Sequence, residues 1–136
     1  MLKLKRRQIE EIFAHARQEL PHECCGLLGG RENFVQSVYR LRNVAAAPTI
    51  EYEAATEDLF AAQRLMRERR EQLLGIYHSH PNQNEPRPSA TDVARAFYPE
   101  AVYFIVGFID EDLVLRAFKI NESERRSEEF KFDVID

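Results

Sequence analysis

The sequence predicts an α+β fold in which helices pack on a mixed sheet, because stretches of helical periodicity are interleaved with strand segments that are mostly non-parallel. At 136 residues, 44% of them hydrophobic, residues 1–136 read as a single domain with material for a real core. No internal repeat, low-complexity stretch or linker divides it.

The elements follow in order. Residues 2–5 are expected to form a short edge strand. A helix is predicted over Arg7 to Glu19, where Ile9, Ile12, Phe13 and Ala16 make one apolar stripe, and Pro21 ends it. Cys25 to Leu28 reads as a buried strand stopped at Gly29-Gly30, and Phe34, Gln36, Val38 and Arg40 mark the alternation of a strand over Asn33 to Leu41. Residues 50–54 are expected to add a further short strand. A second helix runs from about Glu57 to Glu71, with Leu59, Ala62, Gln63 and Met66 near one face and Thr56 as its cap. The apolar run Leu73-Leu74-Gly75-Ile76-Tyr77 is a buried strand that continues to His80 and is broken by Pro81. The spacing then predicts a helix over Ala90 to Tyr98 and strands over Val102 to Ile109, Leu113 to Ile120 and Glu129 to Val134.

Chemistry concentrates at the end of the strand that reaches His80. Side chains at i and i+2 on a strand share a face, so His78 and His80 leave in one direction and Ser79 in the other. Ser89-Ala90-Thr91-Asp92 then opens a helix with Asp92 in its first turn. Two imidazoles and a carboxylate suit zinc, and three protein ligands leave a fourth position for water, the arrangement of a catalytic site. Such a water still needs a proton acceptor, a nearby carboxylate that is not itself a ligand. Each piece also has a bland reading: the histidines as a solvated pair, Ser89 and Asp92 as a helix-capping pair, Glu23 as a surface carboxylate.

Glu23-Cys24-Cys25-Gly26-Leu27-Leu28, Gly75-Ile76-Tyr77-His78-Ser79-His80-Pro81 and Pro88-Ser89-Ala90-Thr91-Asp92 together resemble the JAMM (MPN+) zinc metalloprotease family, in its compact prokaryotic type. The resemblance covers nearly the whole chain. It implies a deaminase-like α/β sandwich, zinc held by His78, His80 and Asp92, Glu23 as general base and acid, and Ser89 as a stabiliser of the oxyanion. The loop from Pro81 to Pro88 is one residue longer than the usual spacing, which brings Glu85 into consideration as a rival to Asp92. The related fold of the zinc deaminases carries His-x-Glu and a later Pro-Cys-x-x-Cys, and this chain has neither.

The implied activity is hydrolysis of an amide bond at the C-terminal Gly-Gly tail of a ubiquitin-like sulfur-carrier protein, the partner class that compact members of the family resemble in their substrates. Such a tail suits a narrow cleft, since glycine brings its backbone close without a β-carbon and can lie as a strand beside a sheet edge. The alternatives are a peptidase of cell-wall or phage-tail peptides, a scaffold that only binds, and an enzyme kept idle until a partner opens the loop from Pro81 to Pro88. A scaffold should have lost ligands, whereas His78, His80, Asp92 and Glu23 all remain.

The rest of the sequence sets limits. A net charge of −4 offers no basic field to nucleic acid, and the basic run Arg67 to Arg70 is interrupted by Glu68 at a helix end. The apolar run from Ala101 to Ile109 is too short to cross a bilayer as a helix, and the charged N-terminal segment is no secretory signal, so a soluble, cytoplasmic protein is expected. Cys24 and Cys25 are adjacent and are expected to be buried thiols. His15 is expected on a helix surface or boundary, and His22 beside Glu23 without a ligand role.

Overall fold

The computed structural model describes residues 1–83, 86–94, 96, 98 and 100–136. Its elements are β1 (Lys3–Lys5), α1 (Arg6–Gln18), β2 (Cys25–Arg31), β3 (Phe34–Leu41), α2 (Thr56–Glu68), β4 (Gln72–His80), α3 (Ala90–Ala94), β5 (Val102–Ile109), β6 (Asp112–Asn121), β7 (Arg126–Phe130) and β8 (Asp133–Ile135). The strands form one mixed sheet in the order β7-β6-β5-β4-β2-β3-β1-β8. The β1–β3, β1–β8 and β4–β5 pairs are parallel and the others antiparallel.

The period-2 pattern of the central strands sorts the core onto two faces. Leu28, Tyr77, Phe104 and Val106 face α1, where they meet Ile12 and Ala16. Cys25, Leu27, Ile76 and Ile105 face α2, where they meet Ala62 and Met66. Helices therefore cover opposite sides of the sheet, and His78 and His80, in step with Ile76, come out on the α2 side.

β7 and β8 are neighbours in the chain yet occupy opposite ends of the strand order. Only Lys131 and Phe132 join them, a span of at most about 10 Å. The sheet must therefore curl until its two edges approach. Phe132 packs edge-on against Phe104, with ring centroids 5.2 Å apart, which seats the joining residues on the α1-side core.

Several expectations are corrected. The N-terminal strand is internal, because β8 adds outside it. β2 continues through Gly29 and Gly30 to Arg31 with a shift in register, since a Cβ at Gly30 would meet the Phe34 carbonyl oxygen at 1.9 Å and glycine alone fits there. The turn that does end β2 is Glu32-Asn33, both at positive φ. Residues 50–54 form no strand of their own and make one isolated bridge, Asn43 with Ala54. Thr56 is the first helical residue of α2, whose N-cap is Ala55 with no side-chain cap, and the helix ends at Glu68. The helix expected over Ala90 to Tyr98 is a helix only over Ala90–Ala94, and part of the remainder lies outside the described residues. The single final strand is two, because the chain crosses between the edges at Lys131-Phe132.

Candidate active site

Strand pairing brings the separated motifs together. Cys25 pairs with His78 across β2 and β4, so the residue two before Cys25 lies beside the end of the strand carrying both histidines. That residue is Glu23, only 3% exposed. Gly26 is needed here because the Tyr77 ring lies over it, and an added Cβ would sit 2.1 Å from the ring. The Tyr77 hydroxyl in turn meets His15 Nδ1 at 2.7 Å. His15 is thus a buried core histidine, correcting its expected surface position, while His22 is exposed.

His78 Nε2 and His80 Nε2 lie 3.0 Å apart, and each is 3.1 Å from Asp92 Oδ2. Asp92 is delivered by a reciprocal capping pair: its N–H donates to Ser89 Oγ at 3.0 Å, and the Ser89 N–H donates to Asp92 Oδ2 at 2.8 Å. The capping and converging readings of these residues hold together. Asp92 lies against both histidines, and Glu85 lies outside the described residues.

Three lone-pair atoms held this close repel one another unless a proton or a cation lies between them. Two further signs favour a cation. Glu23, His78 and His80 each present a ligand-type atom within 4.8 Å of the others. Glu23 Oε1 and His78 Nδ1 are buried and have no hydrogen-bond partner among the described residues. The donor set therefore fits a metal ion.

Burial raises the Glu23 carboxyl to about 7, with Asp92 and Glu51 adding to the rise and His80 opposing it. For Asp92 burial alone would raise the pKa, but the neighbouring His78 and His80 imidazoles and the hydrogen bond from the Ser89 N–H hold it well below the usual carboxylate range. Burial pushes the Cys24 thiol up to about 12 and raises Cys25 as well, so both free cysteines are neutral thiols.

Sequence reasoning missed three residues that shape the site. Asn43 Nδ2 donates to the carbonyls of Glu23 and Glu51, each at 3.0 Å, while its Oδ1 accepts from the Ala45 and Glu53 N–H groups, also at 3.0 Å. The Glu23 N–H donates to the Pro48 carbonyl at 2.8 Å, so the loop after β3 pins the Glu23 backbone from both sides. Tyr52, on that loop, stacks on His78 with ring centroids 4.6 Å apart. Gln83 meets His80 Nδ1 at 2.9 Å. An asparagine just past a strand signals a turn in any sequence, and nothing local marks the other two.

A cleft of about 530 Å³ opens from Asp92 along Tyr52, Leu59, Tyr98 and Tyr103, with exposed Ile50 at its rim. The sheet edges are at β7 and β8, and residues 51–54, which bridge back to Asn43 through Ala54, border the cleft. No helix among the described residues is long and apolar enough to cross a membrane.

A curled mixed sheet between helices, with two histidines, an aspartate and a buried glutamate gathered at one strand end, defines a protein of the JAB class. Residues 5–121 match the family of prokaryotic homologs of the JAB domain, and the chain belongs to that family. It is 36% identical over 102 residues to a desampylase of Haloferax volcanii, covering 71% of this chain and 73% of that protein. It is 33% identical over 115 residues to the CysO-cysteine peptidase of Mycobacterium tuberculosis, covering 82% and 77%. A protein of Desulfitobacterium hafniense, solved in solution, superimposes with a TM-score of 0.86 at 35% identity over 99% of this chain and 93% of its own. A JAB1/MPN domain protein of Archaeoglobus fulgidus has the same fold, with a TM-score of 0.64 at 19% identity over 100% and 98%.

Proposed function

We propose that this chain is a zinc-dependent peptidase that hydrolyses the amide bond after the C-terminal Gly-Gly tail of a ubiquitin-like sulfur-carrier protein. The observation that carries the reading is the convergence of His78 Nε2, His80 Nε2 and Asp92 Oδ2 within 3.1 Å of one another beside a buried carboxylate. Nitrogen and oxygen ligands about 2.0–2.2 Å from a zinc ion stand roughly 3–3.5 Å from each other, so the spacing suits that ion. Asp92 is taken as the third ligand in this reading because its Oδ2 lies 3.1 Å from both histidine Nε2 atoms, while Glu23, which with His78 and His80 also forms a group within 4.8 Å, is kept for proton transfer. Zinc so bound supplies a Lewis acid and a water acidified toward neutral pH.

The remaining work belongs to the protein. Glu23 takes a proton from water and returns it to the leaving amine, a role that its burial and its raised pKa of about 7 suit. Ser89 Oγ already accepts the Asp92 N–H, so its own O–H is free to donate to the oxyanion. The cleft admits an extended tail against the backbone of 51–54, in place of addition at an edge of the sheet. Support for the substrate comes from the relatives named as a desampylase and a CysO-cysteine peptidase. A cytoplasmic setting, where Cys24 and Cys25 stay reduced, belongs to the same reading.

The test is incubation of zinc-loaded protein with a ubiquitin-like carrier bearing a C-terminal adduct, followed by mass spectrometry. Release of the carrier with its Gly-Gly end intact is the expected result. Survival of such adducts while cell-wall peptides are cut would replace this substrate with the alternative.

A further inference from the structure

His78 and His80 are held in different ways. His78 is braced by the Tyr52 ring, and its Nδ1 has no partner among the described residues. His80 has Nδ1 2.9 Å from Gln83 Oε1. Gln83 is itself anchored: its N–H donates to the His80 carbonyl at 3.1 Å, and its carbonyl accepts the Phe108 N–H at 2.9 Å. The end of β4 and strand β5 therefore fix the backbone from which the carboxamide turns back onto the ring.

An imidazole that offers its Nε2 lone pair to a cation carries its proton on Nδ1. An acceptor at Nδ1 favours that tautomer and fixes the ring's angle, and such partners affect metal affinity by about 10–100-fold. Of the two amide atoms the oxygen is the one that can accept, which assigns the orientation of the side chain. We propose that Gln83 is a positioning residue: by accepting the His80 Nδ1–H it sets the tautomer and angle at which His80 Nε2 faces the metal, and so tunes the zinc affinity of this chain. The proposal rests on the zinc reading above. It makes the two imidazoles unequal, one held by a hydrogen bond and one by a stacked ring.

Gln83 is exposed, so its replacement leaves the core intact. Zinc affinity is measured by competition with a chelator at fixed pH for the wild type, Gln83→Leu and Gln83→Glu, with circular dichroism confirming the fold. Gln83→Leu, which keeps bulk but cannot accept, is expected to bind zinc about 10-fold or more weakly. Gln83→Glu, which only accepts, is expected to bind zinc at least as tightly as the wild type. Imidazole nitrogen NMR of the zinc-loaded proteins should show the His80 Nδ1–H in the wild type and Gln83→Glu and its loss or rapid exchange in Gln83→Leu. Unchanged affinity in Gln83→Leu, or equal weakening in both variants, overturns the role of Gln83 and leaves the zinc site standing. A wild type that binds no zinc overturns the zinc site and this proposal together.

Discussion

Ser79 and Cys24 hold each other by a matched pair of hydrogen bonds: the Cys24 N–H donates to Ser79 Oγ at 2.8 Å, and the Ser79 N–H donates to the Cys24 carbonyl at 3.1 Å. Ser79 is the residue between the two histidines, and Cys24 is the residue after Glu23. One buried clamp therefore ties the carboxylate's segment to the histidine strand on the face away from the site. Ser79→Ala leaves the Cys24 N–H buried without that partner, which costs about 1–3 kcal/mol. The expected result is a lower urea midpoint together with slower turnover, as Glu23 loses its register against the histidines.

Metal content tests the ligand set. His78→Ala and His80→Ala should each remove most of the zinc, and elemental analysis of carefully purified protein reads it directly. Asp92→Ala should do the same and also loosen the start of α3, because Asp92 Oδ2 accepts the Ser89 N–H as well. Full zinc occupancy in all three variants would reject the assignment.

Glu23→Gln keeps the size of the side chain but cannot take a proton. The variant should remain folded and zinc-loaded, bind the carrier adduct, and turn over at least about 10²-fold more slowly. Loss of zinc in Glu23→Gln would make Glu23 a ligand, and near-normal turnover would remove it as the base.

The buried His15 makes stability depend on pH. Its pKa is lowered from the ordinary value of 6.5, first by burial and then by the charge of Arg40, against the opposing pull of Glu19, while its Nδ1 meets the Tyr77 hydroxyl. Because the folded pKa lies below the unfolded one, the unfolded chain binds more protons just below pH 6.5. Stability from this group is therefore full above that pH and is lost as pH falls toward the folded pKa, where the loss levels off. Glu23, raised to about 7, acts the opposite way, so the slope is read as the difference between the wild type and His15→Gln in urea unfolding between about pH 5 and 7.5. The wild type should lose stability relative to His15→Gln as pH falls through that range; a difference independent of pH would remove His15 as its source.

How much of this was legible in the sequence follows from the range of the forces involved. His78, His80 and Ser89 with Asp92 could be read because strand alternation and helix capping are local rules, and both act as expected. The burial of Glu23 could not, since it depends on the pairing of Cys25 with His78, two elements far apart in the chain. Tyr52 and Gln83 reach the histidines from loops, where no periodicity reports direction. The glycines after Leu28 misled because Gly29 and Gly30 mark close approach inside a strand here and not its end. His15 misled because its helix turns that position toward Tyr77.

The short link between β7 and β8 also bears on how the protein behaves in a crowded solution. An open sheet offers unpaired backbone at its margins to any other extended chain, and self-association can start there. Here the two margins are drawn toward one another by Lys131 and Phe132, and Arg126, Glu128 and Glu129 line the exposed β7. A foreign strand seeking to add to the sheet would meet charge and a converging neighbour. Residues 51–54 border the cleft beside Asp92 and belong to neither margin, so guarding the two edges leaves the way into that cleft untouched.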